Sequence, residues 1–288
     1  MKRFLPLLLA MALLSGCGGG PAPAEVKASP EEVPASSETA SIPPLTELAE
    51  LSTPAAVTEG RAPAGSYTLP EELAGGPILE DSFPVLLAEL PEEDARIYGL
   101  AWDMLLIQWG DREAEFDWPW LAPLQVLPRL FCLDLDGDEE KELIVICHPG
   151  TGTGVSVDDL YVLEKGADGS LTGYTIPWEF FREDLSAALS VETVNGRTYA
   201  ILGRELSDIT GLLPEEGDPA NIEGLCAGDI ISFSVTPEPQ FYREYIRFQG
   251  SVWLAGDGYI PALAYAAGVD AVVLYQDGVF TLAQPHLS

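Results

Sequence analysis

Ala271-Val272-Val273-Leu274-Tyr275, followed after Gln276 by Asp277-Gly278, is the stretch on which the fold turns. β-Branched and aromatic side chains suit a pleated surface, and an Asp-Gly pair tolerates the positive φ angles of a two-residue hairpin turn. The same grammar recurs along the chain. Leu143 to Cys147, Leu160 to Leu163, Leu171 to Ile176, Thr198 to Leu202, Ile230 to Val235 and Phe241 to Phe248 are runs of strand length. Asp168-Gly169 and Asn195-Gly196 fall between such runs. The reading is an α+β chain, mainly an antiparallel meander with one or two helices. No repeat recurs at a fixed period, which argues against a whole propeller.

One helix is expected over residues 91–109. Pro91-Glu92-Glu93-Asp94 places a proline and acids where a helix N-terminus favours them. Ile97, Leu100, Ala101, Met104, Leu105 and Gln108 then share one face at helical spacing, and Gly110 offers a stop. A second helix is expected around Trp178 to Leu189, where Phe181, Leu185 and Leu189 recur every four residues.

Residues 18–77 differ in kind. They hold ten prolines, Gly18-Gly19-Gly20 and a single aromatic, Tyr67, a composition that buries too little surface to offset the entropy of ordering. Residues 17–77 are therefore expected to be a disordered tether, leaving 78–288 as one globular domain. Ahead of the tether, Lys2 and Arg3 precede an apolar run from Phe4 to Leu14. That run is about eleven residues, short of the roughly twenty that span a bilayer, and has the layout of an export signal. Leu14-Ser15-Gly16-Cys17 resembles the lipobox of bacterial lipoproteins. The resemblance implies that residues 1–16 are cleaved, that the Cys17 sulfur is diacylated, and that the chain is membrane-anchored on the extracytoplasmic side of a bacterial cell envelope.

Loss of Lys2 and Arg3, with no acid lost, takes the net charge from −32 to −34. A surface so acidic repels nucleic acid and anionic headgroups, leaving cations as the electrostatic partners; solubility of an exported chain is the favoured account of the acidity, ahead of a charge-specific partner. Beyond Cys17 stand Cys132, Cys147 and Cys226, an odd number. A hairpin with Leu133 opposite Leu143 puts Cys132 and Cys147 on opposite faces, so small buried thiols are expected rather than a disulfide.

Asp134-Leu135-Asp136-Gly137-Asp138-Glu139-Glu140-Lys141-Glu142 carries the chemistry. Carboxylates at alternate positions, with a backbone carbonyl available at Glu140, can wrap the six to eight oxygens that Ca2+ accepts; a plain solvated acidic hairpin is the other reading. Leu143 to Ile146 continues as a strand, which excludes an EF-hand. The run from Leu133 to Val145 resembles the calcium loop and following strand of FG-GAP and VCBS repeats. That resemblance implies Asp134, Asp136, Asp138 and Glu142 as calcium ligands, with Glu140 contributing its carbonyl. The chain departs from the pattern at Glu139, where the family usually has a second glycine.

Other signals fall short. Gly150-Thr151-Gly152-Thr153-Gly154 lacks the lysine of a phosphate loop and reads as a surface loop. Cys147 and His148 point to opposite sides of a strand, which argues against joint metal ligation, so His148 reads as satisfied or exposed. Asp158-Asp159 and Glu183-Asp184 offer paired carboxylates only if space brings them together. Trp118 and Trp120, flanking Pro119, either stack on a ligand such as a sugar or peptide, or anchor the core, the use that large aromatics favour. The leading expectation is a noncatalytic binding or sensing domain with a structural Ca2+ and an envelope glycan or protein ligand; the alternative is a hydrolase of envelope glycans or peptides using paired carboxylates.

Overall fold

The computed structural model describes residues 49–120, 126–152, 155–213, 222–238, 243–256 and 265–288; the expected signal segment 1–16, Cys17 and Gly154 lie outside these. In chain order, β1 (Leu51–Pro54) and β2 (Ala56–Glu59) are separated by Ala55 alone. β3 (Val85–Leu90), β4 (Ala95–Ala101), β5 (Met104–Trp109) and β6 (Arg112–Phe116) form a four-stranded antiparallel sheet. Next come β7 (Arg129–Leu133), β8 (Glu142–Gly152), β9 (Val155–Lys165) and β10 (Leu171–Thr175), then helix α1 (Trp178–Ala188). β11 (Leu189–Val194), β12 (Arg197–Leu202) and β13 (Glu205–Asp208) make a three-stranded meander, followed by β14 (Ile222–Glu238), β15 (Arg243–Gly256), β16 (Tyr265–Gln276) and β17 (Val279–Leu287).

The largest sheet follows the order β1-β17-β16-β15-β14-β9-β10-β2, with β8 also on β9 and β7 on β8. Its pairings are antiparallel except for a short parallel contact, Ile230↔Ser156 and Ile231↔Val157, between β14 and β9. β1 and β2 stand at opposite ends of that order although one residue joins them, so the hydrogen-bonded path returns on itself as a ring.

β8 and β9 are buried on both faces. Ile144, Ile146, Leu160 and Val162 pack with α1 and β14 to β17 in one cluster; Leu143, Val145, Cys147, Tyr161 and Leu163 pack with the four-stranded sheet in another. Two covered faces explain why these strands read as continuous apolar runs. Trp118 and Trp120 complete the second cluster. Trp120 is fully buried and donates Nε1–H to the Ala101 carbonyl at 2.7 Å; Trp118 stacks between Phe116 and Tyr161, with centroids 4.3 and 4.0 Å away. Glycines make the room: a Cβ on Gly99 would lie 2.7 Å from Trp120, and one on Gly173 would lie 2.4 Å from Trp118. Both indoles are therefore core anchors, unavailable to a sugar or peptide.

Residues 91–109 are not a helix. Pro91–Glu93 make one 3-10 turn, Asp94 takes a left-handed φ of 47°, and β4 and β5 follow as a hairpin. Ile97, Leu105 and Ile107 enter the second cluster, while Tyr98 and Leu106 join Leu86 on the opposite face beneath Tyr67 and Leu69. Apolar residues on both faces erase the period of two and leave a coincidental helical spacing. The second helix is present as α1, with Phe181 and Leu185 buried. Every expected strand lies along an observed one within the described residues. Asn195-Gly196 and Asp277-Gly278 form two-residue turns with both φ angles positive, whereas Asp168-Gly169 sits in a longer loop between Lys165 and Leu171.

The expected start of the globular part at residue 78 also moves. Residues 51–59, inside the stretch expected to be disordered, form β1 and β2, because a strand that completes an existing edge needs main-chain bonds more than apolar side chains. The β7–β8 register is one residue from the expected one: Leu133 faces Glu142 and Cys132 faces Leu143. Cys132 and Cys147 thus share a face, not opposite ones, and both contact the second cluster. Four positions still separate them, about 13 Å at strand spacing, and both thiols are free, as is Cys226. Burial, with Glu93 nearby, pushes the Cys132 thiol up to about 11, and burial raises Cys147 well above the ordinary thiol range.

Candidate metal centre

Leu133↔Glu142 closes the acidic loop between β7 and β8. Its shape comes from side chains that accept main-chain N–H groups: Asp134 from Gly137 at 2.7 Å, Asp136 from Asp138 at 3.1 Å, and Asp138 from Glu140 at 2.8 Å. Short acidic side chains favour such turns over helix or ladder. Gly137 and Glu139 take positive φ angles of 86° and 74°. Glu139 therefore occupies a left-handed position that favours glycine over a residue with a side chain.

Asp134, Asp136 and Asp138 each direct one carboxylate oxygen into a group whose members lie within 4.8 Å of one another, two of the residues exposed and Asp136 half-buried. Calcium holds oxygens at about 2.3–2.6 Å, so oxygens sharing one ion lie within about 5 Å. Glu142 plays another part. It is only 4% exposed, and its Oε2 accepts the Leu135 N–H at 2.7 Å, fastening the base of the loop. Burial pushes its carboxyl up to about 7; the charges of Asp136, Asp138 and Asp134 add to the rise and the Leu135 N–H opposes it. Glu140 is exposed. Of the five residues expected as ligands, the structure converges the three aspartates, while Glu142 lies at the loop's base and Glu140 at its rim.

A groove of about 560 Å³ runs beside the loop, lined by Asp136, Asp138, Glu140 and Glu142 together with Glu93, Glu164 and Asp277. Three cations share it. Lys141 pairs with Glu93, Lys165 lies 3.8 Å above the Trp109 ring, and Arg112 donates to the Gly166 carbonyl at 2.7 Å. Sequence reading missed Glu164 and Asp277 as neighbours of the loop. Asp277 signals only a turn, and its proximity depends on how β16 and β17 close the ring.

The remaining candidates are accounted for elsewhere. Asp158 is buried, 2.8 Å from His148 Nδ1, and accepts from Arg129 at 2.6 Å and the Phe233 N–H at 3.2 Å. Asp159 points to the other face, where the Tyr161 hydroxyl donates to it at 3.2 Å, so the two adjacent acids do not form a pair. Glu183 and Asp184 are exposed on α1. Gly150 and Gly152 are strand residues facing Val157 and Val155, not a loop that cradles phosphate. Among the described residues, no helix is long and apolar enough to cross a membrane.

The fold and loop define a mainly antiparallel β protein with an acidic β7–β8 connection. In comparison with known proteins, the chain matches no family model, no curated protein and no solved structure.

Proposed function

We propose that the chain is an exported lipoprotein, held to the membrane through Cys17, whose domain binds or senses an envelope ligand without catalysing a reaction, and that residues 134–142 hold a structural calcium ion. The observation that supports the calcium part is the convergence of Asp134, Asp136 and Asp138 within 4.8 Å on a loop that leads directly into β8; the anchor rests on Leu14-Ser15-Gly16-Cys17 alone. Their donors are all hard oxygens, which suits calcium. The three aspartates and the Glu140 carbonyl would hold the ion, which would offset the repulsion among the carboxylates and fix the rim of the groove.

The noncatalytic part is supported by what the reactive groups do. The Cys132 and Cys147 thiols are held protonated by burial, and His148 is committed to Asp158. One observation favours the hydrolase alternative: Glu142, whose carboxyl burial pushes up to about 7, lines the same groove as Asp136 and Asp138, and glycan hydrolysis uses a carboxyl of raised pKa beside a second one. Turnover of envelope glycans or peptides that is lost in Glu142→Gln and inhibited by calcium would select that alternative.

Detergent partition and mass analysis of the N-terminus test the anchor. Wild type should enter the detergent phase with lipid on Cys17, and Cys17→Ala should remain unprocessed. A soluble wild type with its N-terminus elsewhere would refute it. A glycan and peptide binding screen, run with calcium and with chelator, tests the ligand assignment.

A further inference from the structure

We infer that residues 51–59 are a latch that closes the strand ring and opens as one unit, well before the domain unfolds. β1 pairs with β17 from Leu51↔Leu282 to Pro54↔Val279, and β2 pairs with β10 from Ala56↔Thr175 to Glu59↔Thr172. Ala55 N–H donates to the Gly278 carbonyl at 2.7 Å, and Gly60 N–H donates to the Leu171 carbonyl at 2.9 Å. One short segment thus joins two hairpins, β16–β17 and β9–β10, that are distant in sequence. Apart from the latch, these hairpins meet at Tyr275, whose hydroxyl donates to Glu164 on β9 and whose ring centroid lies 5.6 Å from that of Tyr174 on β10.

Main-chain bonds hold the latch more than burial does. It gives Leu51 and Ala55 to the first cluster, half-buried, while Val57 is 57% exposed. Exposed backbone bonds with few buried apolar contacts mark the parts of a protein that open locally. Each half is only four residues long, and each is held in register by the other through Ala55. When one half leaves, the other loses the constraint that makes its pairing favourable, so the two leave together. Opening bares the edges of β17 and β10, whose unpaired N–H and C=O groups accept another extended strand. Tension on the chain preceding Leu51 reaches β1 first, which makes the latch the element that such tension releases.

Hydrogen exchange on the full chain tests it. Amides of β1 and β2 should exchange together with those they face on β17 and β10, roughly 100-fold or more faster than the paired amides of β15 and β16. Ser52 Oγ and Thr281 Oγ1 lie 2.8 Å apart on facing residues, a placement suited to a cross-strand disulfide. In Ser52→Cys with Thr281→Cys, oxidation should slow exchange of β2 and β10 about as strongly as that of β1, by roughly tenfold or more, relative to the reduced form of the same variant. Glu59→Cys with Thr172→Cys, which closes the other half, should protect β1 and β17 in the same way and serves if the first variant misfolds. Protection confined to the cross-linked half, or a wild-type latch that exchanges as slowly as β15 and β16, would overturn the inference.

Discussion

The four-stranded sheet β3–β6 and the acidic loop 134–142 are ordered by different forces. The sheet is packed on both faces, by Ile97, Leu105 and Trp120 on one side and by Tyr98 and Leu106 on the other. The loop buries little besides Glu142; carboxylates that accept main-chain N–H groups give it shape, and the same carboxylates repel one another. Apolar burial responds weakly to pH and ions, whereas charge responds to both. Damage to the sheet should therefore lower stability under every solution condition, and the charges of the loop should show their effect only under some.

The largest effect expected is on the sheet side. Trp120→Ala removes a fully buried indole and should cost about 3–5 kcal/mol in denaturant unfolding, with or without calcium. A loss under about 1 kcal/mol would mean that the indole is not the anchor its burial indicates.

A smaller effect should come from protons at the loop. In the unfolded chain Glu142 ionises in the usual carboxylate range, but in the folded chain it keeps its proton up to about pH 7. Between those values the folded state binds the extra proton, so this residue's contribution makes stability fall as pH rises, and the fall ends above about pH 7. In calcium-free buffer, Glu142→Gln should remove that part of the slope. An identical pH profile in the variant would refute the assignment.

The smallest effect concerns the backbone. Glu139→Gly relieves a left-handed position at φ 74° and should stabilise the chain by up to about 1 kcal/mol, with tighter calcium binding from the relaxed turn. Destabilisation would show that the Glu139 side chain contributes something the strain argument omits.

The two regions also differ in how plainly their sequences declare them. The loop is legible because its shape is local: Asp134, Asp136 and Asp138 bind neighbours two or three residues away, so spacing along the chain is spacing in space. Asn195-Gly196 and Asp277-Gly278 are legible for the same reason, since each turn requires two positive φ angles. The β3–β6 sheet is illegible in its pattern because both faces are buried. Gly99, unfavourable inside a helix, was the signal against that reading, since only a missing Cβ admits Trp120. The latch at 51–59 has no signal of its own, because its pairing depends on edges supplied by β10 and β17. Register is the finest detail lost: a shift of one residue between β7 and β8 moved Cys132 to the face of Cys147.

Thermal unfolding against calcium concentration tests the central claim most directly. An ion that binds the folded state alone stabilises it by about 2.7 kcal/mol at one hundred times its dissociation constant, so the wild-type melting temperature should climb with calcium. In Asp134→Ala with Asp136→Ala it should not climb, while the melting temperature in chelator stays near the wild-type value because the buried clusters are untouched. Equal shifts in wild type and double variant at millimolar calcium would mean general screening of an acidic surface, and would contradict a calcium site in the β7–β8 loop.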